Sequence, residues 1–417
     1  MEFALSLVPL IVIIVMLVLR QHMLFAGVLG GVAAMILGGI GFGDAGNAVT
    51  EGLGTMFGST APIMYAAAAA MVAKGGCFKS LVDLCEKLLR GKFAFLAAAL
   101  VLIQSFATYM AGMSAGNTMV IAPLVFAAIG AIPEVIAAMA IASSACFITS
   151  PASTQAVVTA ENIGIPVEEF SSIMMPFTIV IIIASCALAF WGAHRRGSMM
   201  TASAKDAETE APASTGTLFK QSIPVIVLLL MVVLGGTFNN LVGIHIVVPI
   251  VTISVAAVLV VVCTSLNIDE TCKALIDGSQ FILTTLFGVG IFLGFINMMD
   301  QMGTFANIAS LAGMVPQFIM LPIAMVIAFL IAIPSGAFCA GVLALILPTM
   351  ALMGFSPIAM GLIALATGLG TQVSPVQINV VALADGFEKD VMDIVKNNAV
   401  YMVIALAVLI VVSFFVV

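Results

Sequence analysis

Two short runs hold most of the polar chemistry that this sequence places in apolar surroundings. They are Thr149-Ser150-Pro151-Ala152-Ser153-Thr154-Gln155 and Thr371-Gln372-Val373-Ser374-Pro375-Val376-Gln377-Ile378-Asn379. A proline inside a helix removes a backbone hydrogen bond and leaves a carbonyl without its donor. In hydrocarbon, such backbone persists only where protein or a water-filled cavity surrounds it. Each run therefore predicts a helix broken at membrane depth, with hydroxyls and amides gathered at the break. Two further runs, Gly112-Met113-Ser114-Ala115-Gly116-Asn117-Thr118 and Pro334-Ser335-Gly336-Ala337-Phe338, interrupt long apolar stretches in a similar way.

The chemistry expected of these breaks is ion binding. Four half-helix ends would converge near mid-membrane, two from the interrupted stretches and two from the broken helices. Helix N-termini present N–H groups and a positive dipole end, which suits a carboxylate. Freed carbonyls and hydroxyls suit a small hard cation such as Na⁺. Ser114, Gly116, Asn117 and Thr118 would act with Thr149, Ser150, Pro151, Ser153 and Thr154 at one site. Ser335, Gly336, Thr371, Ser374, Pro375 and Asn379 would form its pseudo-symmetric counterpart. Within these sets Ser114, Asn117, Thr149, Ser335 and Thr371 are the candidate Na⁺ ligands. Apart from Lys220 at the start of one, no Lys or Arg falls within a predicted span, so dipoles, hydroxyls and co-bound cations would have to neutralise an anion. Glu161 and Asp385 stand at matched positions and are the candidate proton sites, their plainer reading being polar stops at the membrane surface. The expected coupling ion is Na⁺ or H⁺, with no cofactor. The seven cysteines show no CxxC or Cys/His spacing, which leaves metal and disulfide chemistry without a motif.

Positioning these groups requires an all-α polytopic membrane protein. Hydrophobic residues make up 63% of the 417 and charged residues only 8%, against roughly 25% charged in soluble domains. Long apolar runs, rather than short alternating ones, select helices over a barrel. The opening run, Met1-Glu2-Phe3 onward, lacks a basic n-region and reads as a retained helix rather than a signal peptide. Apolar segments are predicted at 3–19, 24–42, 57–73, 93–130, 134–160 and 170–192, then at 220–236, 244–264, 281–298, 317–354, 357–386 and 397–417. A polar stretch, 193–219, joins the two sets. His22, His194 and His245 fall near predicted helix ends. The net charge of −7 comes with no basic patch that would hold nucleic acid.

Segments 93–130 and 317–354 are far longer than one crossing needs at about 1.5 Å per residue. As re-entrant hairpins they give five crossings per half, so the second half is inverted relative to the first. That topology puts all 13 Lys and Arg residues, among them Arg20, Arg90 and Lys205, on one face, which the positive-inside rule makes cytoplasmic. Two ordinary crossings would leave the charges as well placed, but with half-helices too short to span. The spacing Pro133…Pro151…Glu161 repeats as Pro357…Pro375…Asp385, 18 then 10 in both. Such ordered recurrence argues for duplication. The predicted organisation is a first inverted repeat over 1–192 (hairpin 93–130, broken helix 134–160), a cytoplasmic linker over 193–219, and a second repeat over 220–417 (hairpin 317–354, broken helix 357–386).

From Gly27-Val28-Leu29-Gly30-Gly31 to the last broken helix, the chain resembles the ion transporter superfamily, and within it the DcuC-type anaerobic C4-dicarboxylate carriers. The similarity concentrates in Ala145 to Val158 and Gly368 to Val381. It implies a homodimer in the inner-membrane bilayer, with a scaffold domain and a moving transport domain that exchange or import succinate-like dianions. The hairpin tips here are poorer in serine and threonine than the family's. A Na⁺/H⁺ antiporter of the same superfamily is the alternative, against which the scarcity of buried acids counts. An intramembrane enzyme would need a base beside a break serine, and no His, Lys or acid stands at that depth near either Ser-Pro. A passive channel fits poorly with two hairpins around broken helices.

Overall fold

The computed structural model describes residues 2–19, 21–58, 60–89, 92–196, 214–244, 246–307, 317–336 and 339–416. Arg20, Arg90, Lys205, His245, Ala337, Phe338 and the linker interior from 197 to 213 lie outside the described residues. Among the described residues there are helices and no strands. In chain order they are α1 (Glu2–Val18), α2 (Met23–Gly38), α3 (Phe42–Gly58), α4 (Ala61–Lys74), α5 (Cys77–Leu88), α6 (Phe93–Ala111), α7 (Ala115–Ile129), α8 (Pro133–Thr149), α9 (Thr154–Ile163) and α10 (Val167–Arg196). After the linker come α11 (Thr215–Val242), α12 (Pro249–Cys263), α13 (Ile268–Gln301), α14 (Gln317–Ser335), α15 (Cys339–Leu352), α16 (Pro357–Thr371), α17 (Ile378–Gly386) and α18 (Val391–Val416). Among the described residues, five helices are long and apolar enough to cross a membrane, and up to seven if each bent pair is one span. The bent pairs are α3/α4, at 51°, and α8/α9, at 48°. The chain is an all-helical polytopic membrane protein.

The breaks fall where the prolines and glycines stand. α8 starts on Pro133, whose missing N–H costs nothing at a helix start, and stops at Ser150, in an extended conformation before Pro151. α9 restarts with Ser153 as N-cap, its hydroxyl accepting from the Ala156 N–H. α16 likewise starts on Pro357, capped by Ser356, and ends at Gln372. α6 ends on Gly112 in the left-handed region, φ +66°, which favours glycine.

Three expected loops are helical. Residues 77–88, within the basic 74–92 stretch, form α5, which buries Cys77, Phe78, Val82 and Leu84 and leaves its charged side chains outside that face. Charge counting placed this segment on the correct composition but overlooked its amphipathic period. The 265–280 stretch opens α13 through a reciprocal capping box between Asn267 and Glu270. Residues 43–56, rich in glycine, form α3, which packs along α13. There Gly52 meets the Gly290 carbonyl and the Gly294 backbone with no room for a methyl group, so glycine permits the two backbones to approach.

The helices sort into two groups by packing. α1–α5 pack chiefly with α11–α13, and α6–α10 chiefly with α14–α18. The second group contains both interrupted stretches and both broken helices. The groups meet along α6, against α4 and α5, along α14, against α1, and along α13, against α9 and α15.

Candidate functional site

The two interrupted stretches abut the two broken helices within the second group. Gly112, at the α6/α7 turn, lies so close to the Ala152 carbonyl that any side chain would overlap it. Gly336, ending α14, stands in the same relation to the Ser374 side chain. Ser150 Oγ donates to the Tyr109 carbonyl of α6 and accepts from the Ala152 N–H at 3.0 Å, stitching tip to break. Neither break serine has a hydrogen-bonded base beside it. Ser374 Oγ accepts from the Val376 N–H at 3.4 Å.

Against these tips lies a cavity of about 400 Å³. Its wall includes the starts of four helices: Ser114 and Ala115 at α7, Thr154 and Gln155 at α9, Cys339 and Ala340 at α15, and Gln377 and Ile378 at α17. The first-group side is formed by the turn before α2, at His22, and by the middle of α13, at Thr284, Thr285 and Gly288. No Lys, Arg, Asp or Glu lines it. Neither Ser114 nor Gln377 caps its own helix with its side chain, so the first-turn N–H groups of α7 and α17 are not covered from within. A helix N-terminus carries roughly half a positive charge, so four of them supply about two elementary charges. The arrangement can hold an anion without a cationic side chain.

A second polar feature joins the halves. Gln104 Nε2 donates to Thr118 Oγ1 at 2.5 Å, and Thr118 Oγ1 donates to Asn379 Oδ1 at 2.6 Å. Asn379 Nδ2 donates to Gln372 Oε1 at 2.8 Å, and Asn398 Nδ2 donates to the Gln372 carbonyl at 3.2 Å. All five residues are buried. This chain runs from α6 and α7 to α17, the α16 end and α18, and it takes in two of the predicted residues, Thr118 and Asn379.

The other predicted residues are distributed around these features. Ser114 and Thr154 line the cavity. Gly116 lies in the first turn of α7, and Asn117 donates to the Ala107 and Met113 carbonyls. Ser153 caps α9, and Pro151 and Pro375 stand in the breaks. Thr149 shares a 2.7 Å hydrogen bond with Thr178 of α10. Thr371 donates to the Gly368 carbonyl at 2.7 Å. Ser335 Oγ is buried without a protein partner. Glu161 lines a smaller pocket, and Asp385 is exposed at the end of α17. Gln104, Gln372, Asn398 and Thr178 were not singled out from the sequence. The available signal was an amide in the middle of an apolar span, which membrane burial makes costly unless paired.

No family model matches the sequence, and no curated protein matches it. Among solved structures, the chain is similar to the crystal structure of the Alcanivorax borkumensis YdaH transporter, with a TM-score of 0.54 over 87% of this chain and 86% of that one. Identity is 16%, so the likeness is one of fold. It extends to a membrane transporter's architecture and does not reach the DcuC type in particular.

Proposed function

We propose that this chain is a secondary active transporter for a small carboxylate, a C4-dicarboxylate such as succinate, working by alternating access across the inner membrane. The observation that carries this reading is the cavity walled by four helix starts and free of charged side chains. About two units of partial positive charge match a dianion, and their fixed orientation needs no Lys or Arg. The fold shared with a solved transporter supports the carrier class. In this reading the two helix groups are a scaffold and a transport domain, the halves are inverted repeats, and the working form is a homodimer. The driving ion is Na⁺ or H⁺.

The test is uptake of labelled succinate into proteoliposomes under an imposed Na⁺ gradient and, separately, an imposed pH gradient. Uptake under either, competed by unlabelled succinate, is expected. Absence of uptake and of counter-transport, in vesicles shown to hold folded protein, would remove the dicarboxylate assignment.

A further inference from the structure

A second pocket, of about 150 Å³, lies farther along the same seam. α9, α13 and α15 line both spaces. The large cavity takes Gln155, Val289 and Gly341 from them, and the small pocket takes Glu161, Asn297 and Pro348. From Gln155 to Glu161 the displacement along α9 is about 9 Å. α3 contributes Gly52 and Thr55.

The polar wall of this pocket is made of oxygen donors. Glu161 supplies a carboxylate and is the one charged side chain in the lining. Thr55 adds a hydroxyl, and Asn162 and Asn297 add amides from different helices. The Asn162 Nδ2 group donates to the Val158 carbonyl at 2.8 Å, which leaves its oxygen as the end available to a ligand. Pro348 cannot donate to the Ala344 carbonyl one turn earlier, so α15 carries a backbone oxygen without its helical donor beside the pocket.

The chemistry of this set is selective. One carboxylate with neutral oxygens balances a single positive charge. Ca²⁺ takes more oxygen ligands, typically several carboxylates among them, and Mg²⁺ retains an octahedral shell of waters that needs room. Glu161 is exposed and Thr55, Asn162 and Asn297 are half-buried, so the site is open to entry of an ion.

The matched place in the second half is closed. There Pro123 interrupts α7 and Asp385-Gly386 end α17, yet a methyl group at Gly386 would come within 2.5 Å of Ala122 Cβ and 3.0 Å of Pro123 Cδ. The close packing at Gly386 thus leaves less room beside Asp385 than the pocket offers beside Glu161.

We propose that Thr55, Glu161, Asn162 and Asn297 form a Na⁺ site, separate from the anion cavity and beyond it along α9, α13 and α15. Its role as the coupling-ion site rests on the carrier reading, whereas cation binding itself does not.

The experiment is equilibrium binding of radioactive sodium to the purified full-length protein, with no carboxylate present and choline replacing Na⁺ to hold ionic strength. Saturable binding is expected, accompanied by thermal stabilisation that choline does not reproduce. Glu161→Gln should weaken it by about tenfold or more, Asn297→Ala and Thr55→Val should each weaken it, and the exposed Glu169→Gln should not. If Glu161→Gln does not elute as a folded species, the Asn297→Ala and Thr55→Val variants decide. Wild-type binding in the tested pocket variants would overturn the proposal, as would absence of saturable sodium binding or a stabilisation that follows pH alone. Sodium binding that survives alongside failed succinate uptake would remove the dicarboxylate assignment and leave this site standing.

Discussion

At the scale of single residues, the buried chain through Gln104, Thr118, Asn379 and Gln372 makes the sharpest demands. Each member bonds to its neighbour, and deleting Thr118 Oγ1 leaves the buried Asn379 Oδ1 without its donor, at about 1–3 kcal/mol for an orphaned group. Thr118→Val keeps the shape and removes the hydroxyl. It should lower the unfolding midpoint in detergent by several degrees, while Thr118→Ser largely retains it. Equal midpoints for Val and wild type would mean that the chain is not a stabilising element. Ser150→Ala removes the bond from the first break to the Tyr109 carbonyl of the adjoining tip. Ser150→Ala and Ser374→Ala should each cut transport while expression is unchanged. Normal rates in both would dissociate the break serines from the transport site.

At the scale of elements, function depends on how closely each tip meets each break. Gly112 combines a left-handed backbone with contact against Ala152, whereas Gly39 has the same φ of +66° and open space around its missing side chain. Gly39→Ala meets only the backbone penalty, of about 1 kcal/mol, and should transport normally. Gly112→Ala must also push the tip off the break, and should lose most uptake even where the protein remains folded by gel filtration. Comparable uptake in the two variants would show that the tip contact is not needed. The same reasoning explains why α6 could be placed from residues alone while α3 could not. A continuous apolar run announces α6, whereas Phe42–Gly58 is glycine-rich and carries Asp44 and Glu51, and it is helical because α13 covers it. Tertiary packing supplied what local propensity lacked.

At the scale of the whole molecule, the large cavity reaches the turn at His22, and the pocket at Glu161 lies farther along α9, α13 and α15. In the proposed orientation, with the basic loops inside, the His22 turn is cytoplasmic. A single cysteine introduced as Ser114→Cys, in a background where the seven native cysteines are replaced, should react with an impermeant maleimide added from the cytoplasmic side. Succinate should slow that reaction. Labelling from the external side alone would reverse the assigned orientation of this state. The cavity lies where two separately packed helix groups meet, which is where a relative movement would carry a ligand from one side to the other.

Much of this architecture was determined by the sequence alone. Composition specified membrane helices, because no soluble chain buries 63% hydrophobic residues with so few charges. Pro151, Pro375, Gly112 and Gly336 marked the four breaks, because proline and glycine act on the backbone wherever they stand. Tertiary structure alone decided which of the polar residues at those breaks face a cavity. Thr149 and Thr154 stand five residues apart in the same run, yet one bonds to Thr178 and the other lines the cavity. Side-chain direction at a break depends on how far the chain turns there, and that angle is set by packing against other helices. The Gln104–Thr118–Asn379 chain likewise joins residues up to 275 positions apart. Local spacing carries no record of such pairing, because partners across two halves of a molecule are chosen only when the halves meet.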